Sequence, residues 1–223
     1  MDRIPEPELM DEPAQARAYA EADFAEPNSL FTTAVAKRLA GQPPGRLVDL
    51  GCGPGDICLR LARALPGWRI VGLDAGPNML ALADQAVAAT DCAERIELVC
   101  ARLPEHGLQG PFEAVVSNSL LHHLPDPMTL WQTIGELAGP GSYVQIMDLH
   151  RPDSIARARW LVDEHAAGAP EILRQDFYNS LLAAWTIEEV RSQYERAGLD
   201  FLRLSRPTER HWMASGFVPA APA

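Results

Sequence analysis

Val48-Asp49-Leu50-Gly51-Cys52-Gly53-Pro54-Gly55-Asp56 is the stretch of sequence that decides the fold. Its three glycines alternate with other residues, directly after a short apolar run and directly before a segment with helical spacing. Glycine lets the chain turn tightly and lets the backbone approach a ligand without a Cβ clash. The helix that follows offers free N–H groups at its start. The stretch therefore predicts a strand, a ligand-binding turn and a helix, in that order, although a GxGxG pattern alone is weak evidence.

Two carboxylates sharpen this interpretation. Asp49 lies inside the predicted strand, where a buried acid is costly unless it is paired. An acid there suits a ligand with a positive charge and disfavours a pyrophosphate, because like charges repel. Asp74 ends the next predicted strand, a position from which an acid commonly accepts hydrogen bonds from ribose hydroxyls. The structural alternatives are a hydrogen bond from Asp49 to the glycine loop and a helix N-cap or turn at Asp74.

Strand-like and helix-like segments alternate through the middle of the chain. This rhythm predicts βαβ units and a parallel sheet covered on both faces. The predicted strands are Leu47–Leu50, Arg69–Leu73, Ile96–Cys100, Phe112–Ser117, Tyr143–Leu149, Phe201–Leu204 and His211–Phe217, and the helices among the first five are Asp56–Leu65, Pro77–Ala89 and Pro125–Leu137. We expect an α/β, doubly wound sheet of seven mostly parallel strands, with a helical lid insert.

The 223 residues fit a single domain with four parts. These are an N-terminal helical arm (1–45), a core (46–150), a helical insert with the last helix (151–198) and a C-terminal strand pair (199–223). The helices expected outside the core are Ala14–Phe24, Asn28–Leu39, Ser154–Ala167, Pro170–Ala184 and one opened by the capping box of Thr186 and Glu189. The insert is predicted either to cover a pocket or to pack its aromatic side chains into the core. Arg210, His211 and Trp212 either face that pocket or complete the sheet.

Composition excludes several classes of protein. The formal net charge is −11 and Lys37 is the single lysine, which disfavours binding to a nucleic-acid backbone. No apolar run approaches the length of a membrane span, and no secretory signal is recognised, so we expect a cytoplasmic protein. The four cysteines show no CxxC spacing. We expect them to be reduced and mostly buried, and we predict no metal site.

Several segments resemble class I S-adenosylmethionine-dependent methyltransferases. Val48–Asp56 resembles the first motif of that family, an acid and one residue before GxGxG, and Asp74 matches its ribose-binding acid. Phe112–Leu124 resembles the fourth-strand motif of the small-molecule branch, which includes the ubiquinone/menaquinone-type enzymes, and Leu137–Asp148 resembles the turn and fifth strand. The resemblance covers about residues 45–150. It implies a Rossmann-like sheet with an antiparallel strand near the C-terminus, an S-adenosyl-L-methionine cofactor, a small-molecule acceptor and methyl transfer by in-line displacement.

The resemblance also implies which residues bind the cofactor. They are Asp49, Gly51, Gly53, Asp74, Ala75, Ala101, Arg102, Ser117 and Asn118, with Asp49 expected near the amino group of the methionine part. The sequence departs from the family pattern in two places. Cys100-Ala101 replaces a frequent Asp-Ala pair, so backbone groups and the Arg102 and Leu103 side chains are expected to hold the adenine. Ser142 replaces a turn glycine.

Candidate catalytic residues follow the fourth and fifth strands, because ligands of such sheets bind at the carboxyl ends of the strands. His122 and His123 are the best candidates for a general base, since histidine titrates near neutrality. Asp148 is the third candidate. The alternatives are packing and loop capping for the histidines and a strand-end cap for Asp148. Two other functions stay open: an S-adenosylmethionine-binding sensor or assembly protein, and a nucleotide-cofactor oxidoreductase.

Overall fold

The computed structural model describes residues 1–6 and 9–220. The strands are β1 (Arg46–Leu50), β2 (Arg69–Asp74), β3 (Ile96–Cys100), β4 (Phe112–Asn118), β5 (Ala138–Leu149), β6 (Arg203–Thr208) and β7 (His211–Phe217). The α-helices are α1 (Pro13–Glu21), α2 (Ala25–Leu39), α3 (Asp56–Ala64), α4 (Pro77–Ala88), α5 (Met128–Leu137), α6 (Ile155–His165), α7 (Glu171–Ala183) and α8 (Ile187–Arg196). Ala93–Arg95 and Leu121–His123 form short 3₁₀ turns.

The strands form one seven-stranded sheet in the order β3-β2-β1-β4-β5-β7-β6. The first five strands of this order run parallel to one another, and β7 runs antiparallel to both of its neighbours. The predicted α/β, doubly wound, mostly parallel sheet is therefore confirmed. The strand order reverses at β1, between β2 and β4, and ligands of open α/β sheets bind at such a point.

Helices bury both faces of the sheet. Successive residues of a strand point to opposite faces. Leu47 packs with Phe31 and Leu61 in the layer formed by α2 and α3, whereas Val48 packs with Trp131 and Tyr194 in the layer formed by α5 and α8. A third cluster joins α6 and α7 to the end of β5.

The N-terminal strap, residues 1–6, lies across the domain. The Ile4 amide donates to the Leu182 carbonyl (3.0 Å). The Arg3 guanidinium donates to the carbonyls of Ala183 (2.6 Å) and His122 (2.9 Å) and lies 4.2 Å from the centroid of the Trp185 ring. The strap thus ties the insert to the loop after β4.

Several predicted element bounds were wrong. The strand predicted from Tyr143 begins at Ala138, because Ala138 pairs with Phe112 across an irregularity in the ladder. The strand predicted at Phe201–Leu204 lies at Arg203–Thr208, where it pairs with β7. The helix predicted from Pro125 begins at Met128, whose amide donates to the Asp126 carboxylate (2.9 Å).

The two N-terminal helices also differ from their predicted bounds. α1 ends at Glu21 instead of Phe24, and α2 begins at Ala25 instead of Asn28. The Asp23 carboxylate accepts from the Ala25 amide (2.9 Å), which marks the break between the two helices. By contrast, the capping box of Thr186 and Glu189 is present in full at the start of α8.

Three of the four cysteines are buried, as predicted. Cys52, Cys58 and Cys92 are free and buried, and Cys100 is free and exposed. Over the part of the chain that the structure describes, no helix combines the length and the apolar character needed to cross a bilayer.

Candidate functional site

The first cavity, of about 260 Å³, lies at the carboxyl ends of β1, β2 and β4. Most of the residues predicted to bind a cofactor line it: Gly51, Gly53, Asp74, Ala75, Ala101, Arg102 and Asn118. Leu9, Met10, Tyr19 and Phe24 line it from the N-terminal arm. Asp49 and Ser117 are absent from the wall. The sheet and the arm together therefore enclose a site at the predicted place.

The glycine loop brings backbone to the wall of the first cavity. Gly51 and Gly53 have φ of +75° and +52°, which favour glycine. A Cβ at Gly53 would meet no protein atom within 4 Å, so this position faces open space. A Cβ at Gly51 would lie 2.9 Å from Leu120 Cδ1. Gly53 thus leaves room for a ligand against the backbone, and Gly51 leaves room for a side chain of the protein.

Asp74 fastens the glycine loop to the start of α4. Its Oδ2 accepts from the Gly53 amide and its Oδ1 accepts from the Gly76 amide, each at 2.8 Å. Burial raises the pKa of Asp74, and these amide hydrogen bonds oppose the rise. Because each carboxylate oxygen can accept more than one hydrogen bond, Asp74 keeps the capacity to bind ligand hydroxyls.

Asp49 and Ser117 lie behind the cavity wall. Asp49 is 1% exposed and accepts a hydrogen bond from Cys58 Sγ (3.4 Å). Burial raises its pKa to about 7. The Ser117 hydroxyl donates to the Leu50 carbonyl (2.7 Å) and so links β4 to β1. The structure gives both residues a supporting position, and a direct contact of either with a ligand stays a prediction.

The second cavity, of about 570 Å³, is contiguous with the first. Both are lined by Asn118, Ser119, His123 and Asn28, together with Met10, Tyr19 and Phe24. Ser119 has a φ of +59°, an uncommon conformation for a residue other than glycine. Asn118 Oδ1 is buried, and among residues 1–6 and 9–220 no group donates a hydrogen bond to it. The boundary between the cavities thus carries a strained residue and an available acceptor.

His122 and Asp148 form a buried pair beside the second cavity. Asp148 Oδ1 lies 2.5 Å from His122 Nδ1, and Asp148 Oδ2 accepts from the His122 amide (3.2 Å). Burial alone would raise the pKa of Asp148, but the charge and hydrogen bond of His122 outweigh it and lower the pKa. The pKa of His122 is raised because Asp148 outweighs the opposite effect of burial. Of the two, His122 lines the second cavity.

The N-terminal strap adds Glu6, which sequence reasoning missed. Glu6 Oε1 lies 3.5 Å from His122 Nε2 and 3.4 Å from His123 Nδ1, and these three atoms lie within 4.8 Å of one another. One carboxylate and two imidazoles are a donor set that can hold a divalent cation. The prediction of no metal site was based on the spacing of ligand residues along the sequence. Glu6 is more than a hundred residues from the histidine pair, so no such spacing connects them.

The insert and the last hairpin supply the outer wall of the second cavity. Leu173, Asp176, Phe177 and Ser180 line it from α7, and Arg210 and His211 line it from the β6–β7 turn. Arg174, in contrast, pairs with Asp163 (2.8 Å) and is absent from the wall. Trp212 is buried in the core. Burial, followed by the charge of Arg210, lowers the pKa of His211 to about 4.

Comparison with known proteins finds one family across most of the chain. The family described as "Methyltransferase domain" matches residues 19–204. A ubiquinone biosynthesis O-methyltransferase of Xanthomonas campestris is 28% identical over 207 residues, covering 83% of this chain and 80% of that protein. A protein of the same name from Cronobacter sakazakii is 31% identical over 126 residues, 56% of this chain, and the match spans half of that protein's length (50%).

Solved structures agree on the fold. An S-adenosylmethionine-dependent methyltransferase from Aquifex aeolicus superposes with a TM-score of 0.66 and 16% identity, covering 93% of this chain and 98% of that chain. At that identity the likeness concerns the fold alone.

Proposed function

The chain belongs to the methyltransferase domain family, and from that premise we propose that it moves the methyl group of S-adenosylmethionine to a small molecule held in the second cavity. The single observation that carries the proposal is that two contiguous cavities meet at Asn118, Ser119 and His123. The methyl group of the donor must lie next to the nucleophilic atom of the acceptor. We propose that the two are adjacent at this boundary.

The first cavity fits the cofactor in three respects. Asp74 offers carboxylate oxygens for ribose hydroxyls. The open space over Gly53 admits the ligand against the backbone. Asn118 Oδ1, which has no donor partner among the described residues, offers an acceptor for an amino group. Ala75, Ala101 and Arg102 line the same cavity and are proposed to surround the adenine.

Methyl transfer requires of the protein chiefly that it position the donor and the acceptor. S-adenosylmethionine supplies an electrophilic methyl group on a sulfonium, which is already a good leaving group. The residues at the boundary then hold the acceptor's nucleophilic atom about 3 Å from the methyl carbon and in line with the breaking bond. A proton acceptor is needed only where the nucleophile carries a proton of high pKa.

We assign that proton to the histidine pair. His123 lines both cavities and so lies at their boundary. His122 is held by Asp148 at 2.5 Å and lines the second cavity beside it. A proton acceptor of this kind suits an oxygen nucleophile, and both relatives described above are named O-methyltransferases.

We further propose that the protein acts in the cytoplasm. The free cysteines support this location, because thiols stay reduced there.

Release of S-adenosylhomocysteine tests the proposal. The protein is incubated with S-adenosylmethionine, with and without a small-molecule metabolite extract, and S-adenosylhomocysteine is measured by mass spectrometry. We expect release that depends on the extract, and a drop in rate in His123→Ala. Binding of S-adenosylmethionine without release in any extract would refute the proposal in favour of a sensor or assembly protein.

A further inference from the structure

Arg210 is a cation of the second cavity without a carboxylate partner. It lies in the turn between β6 and β7, half-buried, with its guanidinium 5.8 Å from the centroid of the Phe177 ring, and both side chains line the cavity. Within the described ranges 1–6 and 9–220, no carboxylate oxygen lies within 4.0 Å of its nitrogens. A half-buried guanidinium left unpaired is costly.

The histidines of the same cavity carry no comparable excess charge. Three of them face carboxylates, and His211 is neutral at pH 7 because its pKa is lowered to about 4. The three pairs are His122 with Asp148 (2.5 Å), His123 with Glu6 (3.4 Å) and His165 with Glu209 (2.8 Å). Arg210 is therefore the basic group of the described cavity wall that forms no ion pair, and the carboxylates whose charges act on it, Glu26 and Glu209, do so from beyond 4.0 Å.

The sequence neighbour of Arg210 does not neutralise it. Glu209 Oε2 accepts from Arg157 (2.6 Å), and Glu209 Oε1 lies 2.8 Å from His165 Nε2. Both carboxylate oxygens of Glu209 are thus engaged by other side chains. The protein supplies Arg210 to the cavity and directs the adjacent carboxylate elsewhere.

The acidic residues of the cavity wall limit what the partner of Arg210 can be. Glu21 and Asp23 are exposed, and Asp176 is partly buried. Asp176 Oδ1 accepts from Gln15 Nε2 (2.9 Å), while Oδ2 is buried without a hydrogen-bond donor among the described residues. A ligand with one anionic group and one hydrogen-bond donor satisfies both groups, whereas a polyanion would be repelled by Asp176.

We infer that the methyl acceptor is a small organic anion whose carboxylate or phosphate pairs with the Arg210 guanidinium and whose hydroxyl group donates to Asp176. The guanidinium fork matches carboxylate and phosphate oxygens alike. The inference rests on the proposed function, since it names the class of compound that the second cavity takes.

Ion-exchange separation of acceptors tests the inference before the compound itself is identified. A metabolite extract is passed over a strong anion exchanger at pH 7.5, and the flow-through and the retained fraction are each assayed for S-adenosylhomocysteine release. We expect turnover with the retained fraction alone. Phosphatase treatment of that fraction then separates the two sources of charge, because it abolishes turnover for a phosphate and leaves it unchanged for a carboxylate.

Variants link the charge to Arg210. In Arg210→Gln, the amount of retained fraction that gives a half-maximal rate should rise at least about tenfold, with little change in the maximal rate or in the KM for S-adenosylmethionine. Arg210→Lys keeps the charge but loses the fork, so a smaller rise is expected. The matched control is Arg206→Gln, because Arg206 is exposed, lies on the same hairpin and is absent from the cavity wall.

Three results would overturn the inference. One is turnover with the flow-through, and another is an unchanged half-maximal amount in a folded Arg210→Gln variant. The third is an equal effect of Arg206→Gln. Absence of turnover with either fraction is a different failure, because it removes the proposed function itself.

Discussion

Replacing Asp74 with alanine tests the proposed cofactor site. Asp74 lines the first cavity, and its carboxylate is proposed to accept hydrogen bonds from two ribose hydroxyls. The same carboxylate accepts from the Gly53 and Gly76 amides, each at 2.8 Å. The substitution therefore removes the acceptors for the ribose hydroxyls and the acceptors for the loop amides. Its effects on ligand affinity and on stability can be measured separately.

The two magnitudes follow from hydrogen bonds to a charged group. Each contributes about 1.5–3 kcal/mol, so loss of two to the ribose should weaken cofactor binding by about 3 kcal/mol or more. Since about 1.4 kcal/mol is a factor of ten, Asp74→Ala should raise the Kd about 100-fold or more. Loss of the amide contacts should lower the free energy of unfolding by about 1–3 kcal/mol. Asp74→Asn keeps one acceptor oxygen, so its affinity should lie between those of wild type and Asp74→Ala.

Calorimetric titration with S-adenosylhomocysteine gives the Kd, and urea unfolding gives the stability. Asp84→Ala is the matched control, since it removes the same charge from an exposed position on α4. An Asp74→Ala variant that unfolds cooperatively and binds within threefold of wild type would refute the assignment of Asp74 to the ribose.

Four further substitutions probe the glycine loop and the supporting structure. The pKa of Asp49 is about 7 in the folded protein, against an ordinary value of 3.8. Between these values Asp49 stays protonated in the folded protein and ionises in the unfolded chain. The free energy of unfolding therefore falls as pH rises from about 4 to 7. Asp49→Asn should therefore gain stability over wild type by about 1 kcal/mol per pH unit between pH 5 and 7; urea unfolding at pH 5, 6 and 7 checks this, and a constant difference would contradict it. Gly53→Ala should lower affinity for S-adenosylhomocysteine at least about tenfold and lower the free energy of unfolding by about 1 kcal/mol. Gly51→Ala places a Cβ against Leu120 and should lower the free energy of unfolding by about 2–3 kcal/mol. Calorimetric titration and urea unfolding distinguish the two variants, and equal losses of stability would show that the Leu120 side chain moves aside. Thr186→Ala should cost about 1 kcal/mol in unfolding free energy through loss of the cap of α8, with the rate of S-adenosylhomocysteine release unchanged, and a stability equal to wild type would count against the cap.

Local patterns were enough to predict the fold and the first cavity. The glycine loop, the strand alternation and Asp74 are each encoded within a few residues, and the sheet confirms the architecture they predict. The burial of Asp49 behind the cavity wall also follows from the alternation of side chains along the strand. Side chains alternate along β1, so Asp49 shares the face of Leu47, the face covered by α2 and α3, and thus lies behind the cavity wall.

Long-range contacts were beyond the reach of sequence patterns. Arg3 and Glu6 act on the loop after β4 across most of the length of the chain, and the polar N-terminus shows no periodicity that points to such a partner. The start of β5 was missed for a related reason. Gly139-Pro140-Gly141 has the composition of a turn, but pairing of Ala138 with Phe112 extends the strand through it. In both cases tertiary contacts outweigh local preference.

The N-terminal arm covers both cavities at once, since Met10, Tyr19, Phe24 and Asn28 line each of them. Movement of this shared wall would open both cavities together. Exit of the proposed methylated product and of S-adenosylhomocysteine past the arm would then be coupled to one opening event. Turnover paced by such an event slows in proportion to solvent viscosity, so the enzyme's speed would be set by the hinge of its arm and not by the strength of the bond being broken.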